Sequence, residues 1–164
     1  MNAGMMGKNE TINFGNGLKW MVVLRVLIGW HFFYEGLVKL TNPNWTSVSF
    51  LLDSKGVFYG IFESVATHPN LLATVDFMNV WGLMAIGLGL MLGLFTRVAL
   101  ISGIVLLSIY YLSHPPFVGL RYSLPTEGSY LVVNKILIEL VTMIVLLFYP
   151  TGRYIGIDRL VFKK

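Results

Sequence analysis

Four ionisable residues punctuate one apolar stretch near the start of the chain: Arg25, His31, Glu35 and Lys39. A second apolar stretch, near the end, carries Asn134, Lys135 and Glu139. An imidazole beside carboxylates can take up and release protons, while a guanidinium or ammonium can hold a carbonyl oxygen or a phosphate. At about 100° per residue, His31, Glu35 and Lys39 fall about 240°, 280° and 320° around a helix from Arg25, so all four share one arc of about 120°. Lys135 and Glu139, four residues apart, also share a face. Counted inward from the outer helix ends, Glu35 and Lys135 lie about 6–8 Å deep and His31 and Glu139 about 12–14 Å. Antiparallel helices would then pair Glu35 with Lys135 and His31 with Glu139, leaving Arg25 alone near the opposite end.

Two readings compete for this set. Mutually neutralising pairs would fix helix register, or the arc would line a polar pocket for a quinone head group or a proton path. A charge at the centre of a bilayer costs about 2.5–3.5 kcal/mol or more. One pair would suffice for register, so the functional reading is preferred, with His31 and Glu35 as the proton-handling candidates and Arg25, His31, Tyr34, Glu35, Lys39, Lys135 and Glu139 as the ligand-binding set. Trp30, Phe33, Tyr34, Tyr110 and Tyr111 supply aromatic walls. The chain has no cysteine, which excludes a disulfide relay, a thiolate nucleophile and a Cys-ligated iron–sulfur cluster. Bis-His haem ligation would need a second histidine at the depth of His31. His114 falls near the end of the third apolar run and His68 outside the runs, so no metal is assigned. The eight methionines read as packing.

The elements that must carry these residues follow from composition. The chain has 164 residues, 55% hydrophobic and only 12% charged, with a mean hydropathy of +0.71. Soluble domains carry about 25% charged residues, so an ordinary cytosolic enzyme is excluded. Apolar runs at about 20–40, 71–95, 98–112 and 131–149 read as four membrane spans of roughly 20 residues each. The second run contains Ala85, Gly89 and Gly93 at four-residue spacing, which would let another helix approach closely. Residues 45–70 mix aromatics with polar groups and read as short helices lying in the interface, or as a cap packed on the bundle. The expectation is an all-α, single-domain integral membrane four-helix bundle over 1–164, with short interfacial helices between helices one and two and a basic cytoplasmic tail at 150–164.

Orientation follows from Lys and Arg. Lys8, Lys19, Arg97, Arg153, Arg159, Lys163 and Lys164 share one side, against Lys55 and Arg121 on the other. This places both termini in the cytoplasm and residues 41–70 and 114–130 outside, with Ser54 as a reporter position in the first outer loop. The net charge of +4 is scattered among apolar runs, which argues for membrane orientation and against nucleic-acid binding.

Three blocks resemble a known family. Arg25-Val26-Leu27-Ile28-Gly29, followed by Phe32-Phe33-Tyr34-Glu35-Gly36 and Lys39-Leu40, resembles the first helix of DoxX-type membrane proteins. Gly93-Leu94-Phe95-Thr96-Arg97 is similar to that family's turn between helices two and three. Gly152 to Leu160 is similar to its C-terminal end, with Gly156 where the family usually has Ser. The resemblance implies a four-helix bundle in a bacterial inner membrane. It also implies kinship with the DoxD-like subunit of thiosulfate:quinone oxidoreductases, whose catalytic work is shared with a second subunit.

Two functions are therefore expected. The first is a membrane subunit of an oxidoreductase complex that interacts with quinone through a buried polar face. Such a subunit has no redox domain of its own and no built-in cofactor, and it works with a partner subunit or as a homo-oligomer. The alternative is a non-enzymatic anchor or assembly partner of a larger envelope complex. A solute carrier is disfavoured because no inverted repeat or broken helix pair is visible.

Overall fold

The computed structural model of the chain describes residues 10–123 and 131–161, with side chains from residue 16 onward. The described residues form only helices: α1 (Glu10–Thr41), α2 (Val48–Leu52), α3 (Tyr59–Thr67), α4 (Pro69–Leu92), α5 (Thr96–Ser113), α6 (Lys135–Phe148), α7 (Thr151–Tyr154) and α8 (Asp158–Val161). Three segments, Asn16–Thr41, Pro69–Leu92 and Thr96–Ser113, are long and apolar enough to cross a membrane. The chain is thus a multi-pass, all-helical membrane protein. Parts of the expected N-terminal segment, the 114–130 loop and the basic tail, including Lys8, Lys163 and Lys164, lie outside the described residues.

The fourth expected span is shorter than the apolar run that suggested it. Its helix covers 14 residues, about 21 Å, because Asn134 caps it: the Asn134 Oδ1 accepts from the Leu137 N–H at 2.9 Å. Leu131 sits at φ 63°, so the apolar residues ahead of the cap do not continue the helix. At the other end of the chain, α1 starts at Glu10, well before the apolar run at Trp20. Extending a nucleated helix costs little, even through polar residues.

Helix contacts run α1 to α4, α4 to α5, α5 to α6, and α6 back to α1. The tightest is α1 on α4. A Cβ on Gly29 would lie 2.9 Å from the Gly87 carbonyl oxygen, and one on Gly87 would lie 2.6 Å from the Gly29 carbonyl oxygen and 2.7 Å from the Phe33 Cα. Gly36 similarly lies under Val80 and Met84. The α1–α4 crossing therefore uses Gly29, Gly36 and Gly87, while in the Ala85–Gly89–Gly93 series Ala85 is exposed, Gly89 admits Ala99 of α5 and Gly93, which ends α4 in the left-handed conformation at φ 65°, admits Gly156 and Arg25. Ile28, Phe32, Leu83, Ile86, Leu90, Leu100, Leu107, Met143 and Leu146 fill the space between the helices. Trp20, Leu27, Phe77, Val98, Val105, Ile138 and Val141 face outward, as lipid contact requires.

The segment between α1 and α4 folds into the two short helices α2 and α3. Asp76 of α4 anchors its start by accepting from the Ser47 N–H at 2.9 Å, the Ser47 hydroxyl at 2.5 Å and the Thr46 hydroxyl at 2.8 Å. Ser54 is buried, with its hydroxyl on the Leu51 carbonyl at 2.7 Å, so it is a poor reporter of sidedness. Ser64 on α3 is exposed and serves instead.

Two outcomes are expected. Gly87→Ala pushes a methyl into the α1 backbone and should destabilise by about 1–3 kcal/mol. Gly82→Ala, with open space around it, should be neutral; equal losses in denaturant titrations of the two variants would contradict the crossing. On sidedness, Ser64→Cys in this cysteine-free chain should react with an impermeant thiol reagent from outside intact cells. Labelling only after the cytoplasmic face is opened would reverse the orientation read from the basic residues.

Candidate functional site

The rotation of α1 is set by its glycines, and this splits the polar arc. On the same wheel Gly29 and Gly36 fall about 40° and 20° from Arg25, so the side turned to α4 is centred close to Arg25, with Lys39 toward its edge. His31 and Glu35 lie farther round, at the seam between that side and the outward face of Leu24, Leu27 and Val38. The structure follows this geometry. Arg25 is 2% exposed and Lys39 is half-buried, whereas His31 and Glu35 are exposed. The polar face expected to be buried is therefore buried at its two ends and open sideways in the middle.

At the seam, α6 supplies Glu139. His31 Nε2 lies 3.8 Å from Glu139 Oε2, with the imidazole side chain 51% exposed and the carboxylate 17%. Among the described residues this is the one ion pair within 4 Å; Glu35 and Lys135 are not brought into such a contact. The Glu139 carboxylate instead feels His31, Lys135 and Glu35 together. Trp30 and Tyr34, one turn apart, stack at 6.1 Å between centroids and stand exposed beside the seam. His31, Glu35, Lys135 and Glu139 thus form one district along α1 and α6, with Tyr34 farther round toward the outward face.

Lys39 belongs to the loop end of the bundle. Its ammonium donates to Asn79 Oδ1 at 2.9 Å, and Asn79 Nδ2 donates to the Tyr110 hydroxyl at 2.5 Å. The same ammonium faces the Trp45 and Tyr110 rings at 5.1 and 5.7 Å, a cation–π arrangement suited to a partly desolvated cation. Asn79 was not anticipated; an amide in an otherwise uncharged run is its only sequence signal. Next to this corner, His114 is stacked between Phe50, at 4.1 Å, and Tyr122, at 4.8 Å. Its Nδ1 shares a hydrogen bond with the Ser113 hydroxyl at 2.9 Å, and its buried Nε2 has no partner. Burial pushes the imidazole below its usual range; Asp53 opposes the shift and Lys55 adds to it. The Lys55 ammonium donates to the Arg121 carbonyl, and Asp53 accepts the Ser123 N–H, so both charged groups tie the two loops together.

Arg25 is not alone. Its Nη atoms donate to the Thr151 hydroxyl at 3.1 Å and the Ile155 carbonyl at 2.8 Å, and the guanidinium lies over Gly93, where a Cβ would stand 3.0 Å from it. Asp158 attracts the guanidinium and accepts from the Phe95 and Thr96 N–H groups at 2.7 and 3.0 Å. The partners of Arg25 are 126 and 130 residues away in sequence, which is why helix periodicity alone did not show them. Both Nη atoms are spent on the chain itself, while the buried Nε has no partner among the described residues, and the group stands about 9 Å along α1 from His31.

A family model described as DoxX matches residues 20–115. No curated protein matches, and no solved structure matches. The matched segment holds α1 through α5 and so includes Arg25, His31, Glu35 and Lys39; the α6 residues of the seam lie beyond it.

The His114 cage has a pH signature. A histidine held below its usual value of 6.5 stays neutral in the fold while the unfolded chain protonates. Stability therefore declines as pH falls below the unfolded value towards the folded one. Thermal unfolding in detergent should show this loss as pH falls below about 6.5. His114→Phe should remove that component of the slope. An identical pH dependence in the two proteins would refute it.

Proposed function

The chain belongs to the DoxX family, and from that starting point we propose that it is the quinone-interacting membrane subunit of an oxidoreductase complex, working at the seam between α1 and α6. One observation carries the reading: a histidine–glutamate pair 3.8 Å apart and half-exposed, on helices whose neighbouring surface is built for lipid. Ionisable groups at such depth cost about 2.5–3.5 kcal/mol each on insertion scales, and a pair needed only for register gains nothing by standing open.

A quinone reaches its site from the hydrocarbon layer, so a lateral opening is the entry it needs. The seam offers groups of matching chemistry. His31 and Glu35 can donate to or accept from a carbonyl oxygen, and Glu139 orients the imidazole. Trp30 and Tyr34 present flat apolar surfaces. A bound quinone would supply electron and proton carriage. The protein's own part is to hold the ring and to pass protons between the imidazole and the carboxylates. Lys39 and Arg25 bound the district without entering it.

The same reading places the chain in a bacterial inner membrane with both termini cytoplasmic. Here α6, with the non-helical residues 131–134 before it, completes a fourth crossing, and α2 and α3 lie at the outer interface. An electron-donating subunit would dock from outside the described helices. The alternative, a non-enzymatic anchor or assembly partner, draws on the same open seam, which a partner helix could cover.

Lipid extracts of the purified protein should contain quinone in near-stoichiometric amount. His31→Ala and Glu35→Ala should deplete it without loss of helix content, since both residues are exposed. Extracts free of quinone, with a co-purifying protein lost in the same variants, would move the assignment to the anchor reading.

A further inference from the structure

The end of the bundle that holds Arg97 and Arg153 contains a second feature, independent of the seam. A cleft of about 320 Å³ opens between α5, α6 and the C-terminal turn, lined by Thr96, Arg97, Leu100, Leu146, Leu147, Phe148, Tyr149, Pro150, Gly152, Arg153 and Asp158. This is in the range of small-molecule sites, about 300–1,000 Å³.

We propose that this cleft binds the phosphate head group of an anionic phospholipid, with an acyl chain lying against its apolar floor. Three observations point there. Arg97 and Arg153 are both exposed, and no hydrogen bond or ion pair among the described residues occupies either guanidinium. Two free guanidinium forks at one mouth match phosphate oxygens. Thr96, 5% exposed, is among the lining residues, and its hydroxyl, packed against Gly152, has no partner among the described residues. Leu100, Leu146, Leu147 and Phe148 make up the remaining wall, a surface on which a free inorganic anion would find nothing to contact.

Asp158 also lines the cleft, but its charge is already engaged. Both carboxylate oxygens accept N–H groups at the start of α5, and Arg25 attracts it from behind. The remaining balance at the mouth is set by the two arginines. Arg97 in the first turn of α5 and Arg153 in α7, just past the end of α6, stand where lipid phosphates lie, and basic pockets between membrane helices are established acceptors of anionic head groups. The site depends only on the chain being a membrane protein, not on the quinone reading.

The test is native mass spectrometry of the full-length protein released from detergent with phosphatidylglycerol or with phosphatidylcholine of the same acyl chains. Wild type should retain one phosphatidylglycerol, in preference to phosphatidylcholine by about tenfold. Arg97→Gln and Arg153→Gln should each weaken retention several-fold, and the double variant should abolish the preference. Leu147→Trp, which fills the floor and leaves the charges intact, should lower retention as well. Quinone content should not change in the arginine variants. Retention unaffected by the double variant would overturn the proposal. Displacement by millimolar inorganic phosphate with no effect of Leu147→Trp would overturn it in favour of a free-anion site.

Discussion

Everything in this molecule hangs on how closely α1 can lie against α4. Backbone meets backbone where Gly29 faces Gly87, and no side chain larger than hydrogen fits between them. In lipid, where helices gain nothing from apolar burial against each other, such close packing is a main source of association. The crossing does more than hold two helices together. It fixes the rotation of α1, and rotation decides which of its ionisable residues turn inward. Arg25 lies within about 40° of both glycines and Lys39 within about 60–80° of them, and both find partners in the protein. His31 and Glu35 lie farther round and are left at the edge with α6. The placement of the seam residues is thus a consequence of packing at the neighbouring glycines.

A second constraint acts at one end of the bundle. The three stretches that carry the family resemblance, around Arg25, Gly93–Arg97 and Gly152–Leu160, are far apart in sequence and meet there. Arg25 reaches the Thr151 hydroxyl and the Ile155 carbonyl. The Asp158 N–H donates to the Gly93 carbonyl at 2.8 Å, and the Asp158 carboxylate caps α5. Each group satisfies another that would otherwise be stranded: the open end of α4, the first N–H groups of α5 and a buried guanidinium. The link is compact because Gly152 and Gly156 lie almost in contact with Thr96 and Gly93. By pinning the C-terminal turn across the end of α5 and α6, this latch also shapes the cleft beside it.

How much of this could be read in the chain differs by level. Three crossing helices were legible within a few residues, because hydropathy over a long run is a strong signal. The short α6 was not, since Leu131 to Val133 are as apolar as the helix that follows and only the Asn134 cap separates them. The arc on α1 was legible as an angle, and so was the pairing of His31 with Glu139, because both depend on helix geometry alone. What was hidden was the rotation of the helix. Glycine spacing drew attention to Gly89 and Gly93, one packed near the start of α5 and the other a left-handed helix end, while the working glycines sit seven residues apart on α1 and singly on α4. The Arg25 latch was hidden for a different reason: contacts across 126 residues or more leave no periodic trace.

The splitting of the arc has a functional consequence. Had all four ionisable residues turned inward, they would have neutralised one another in a dry interior, and exchange of protons or ligand with the membrane would have required the helices to part. Instead the two permanent cations are committed to structure, Lys39 by an amide and aromatic rings, Arg25 by the C-terminal turn. The groups left open at the seam are His31, Glu35 and the half-buried Glu139, an imidazole and two carboxylates. The two cations are drawn into the bundle, and His31 and Glu35 stand open. A scaffold that only needed to hold its helices together would gain nothing from that division, whereas a site that trades protons with a lipid-soluble ligand depends on it.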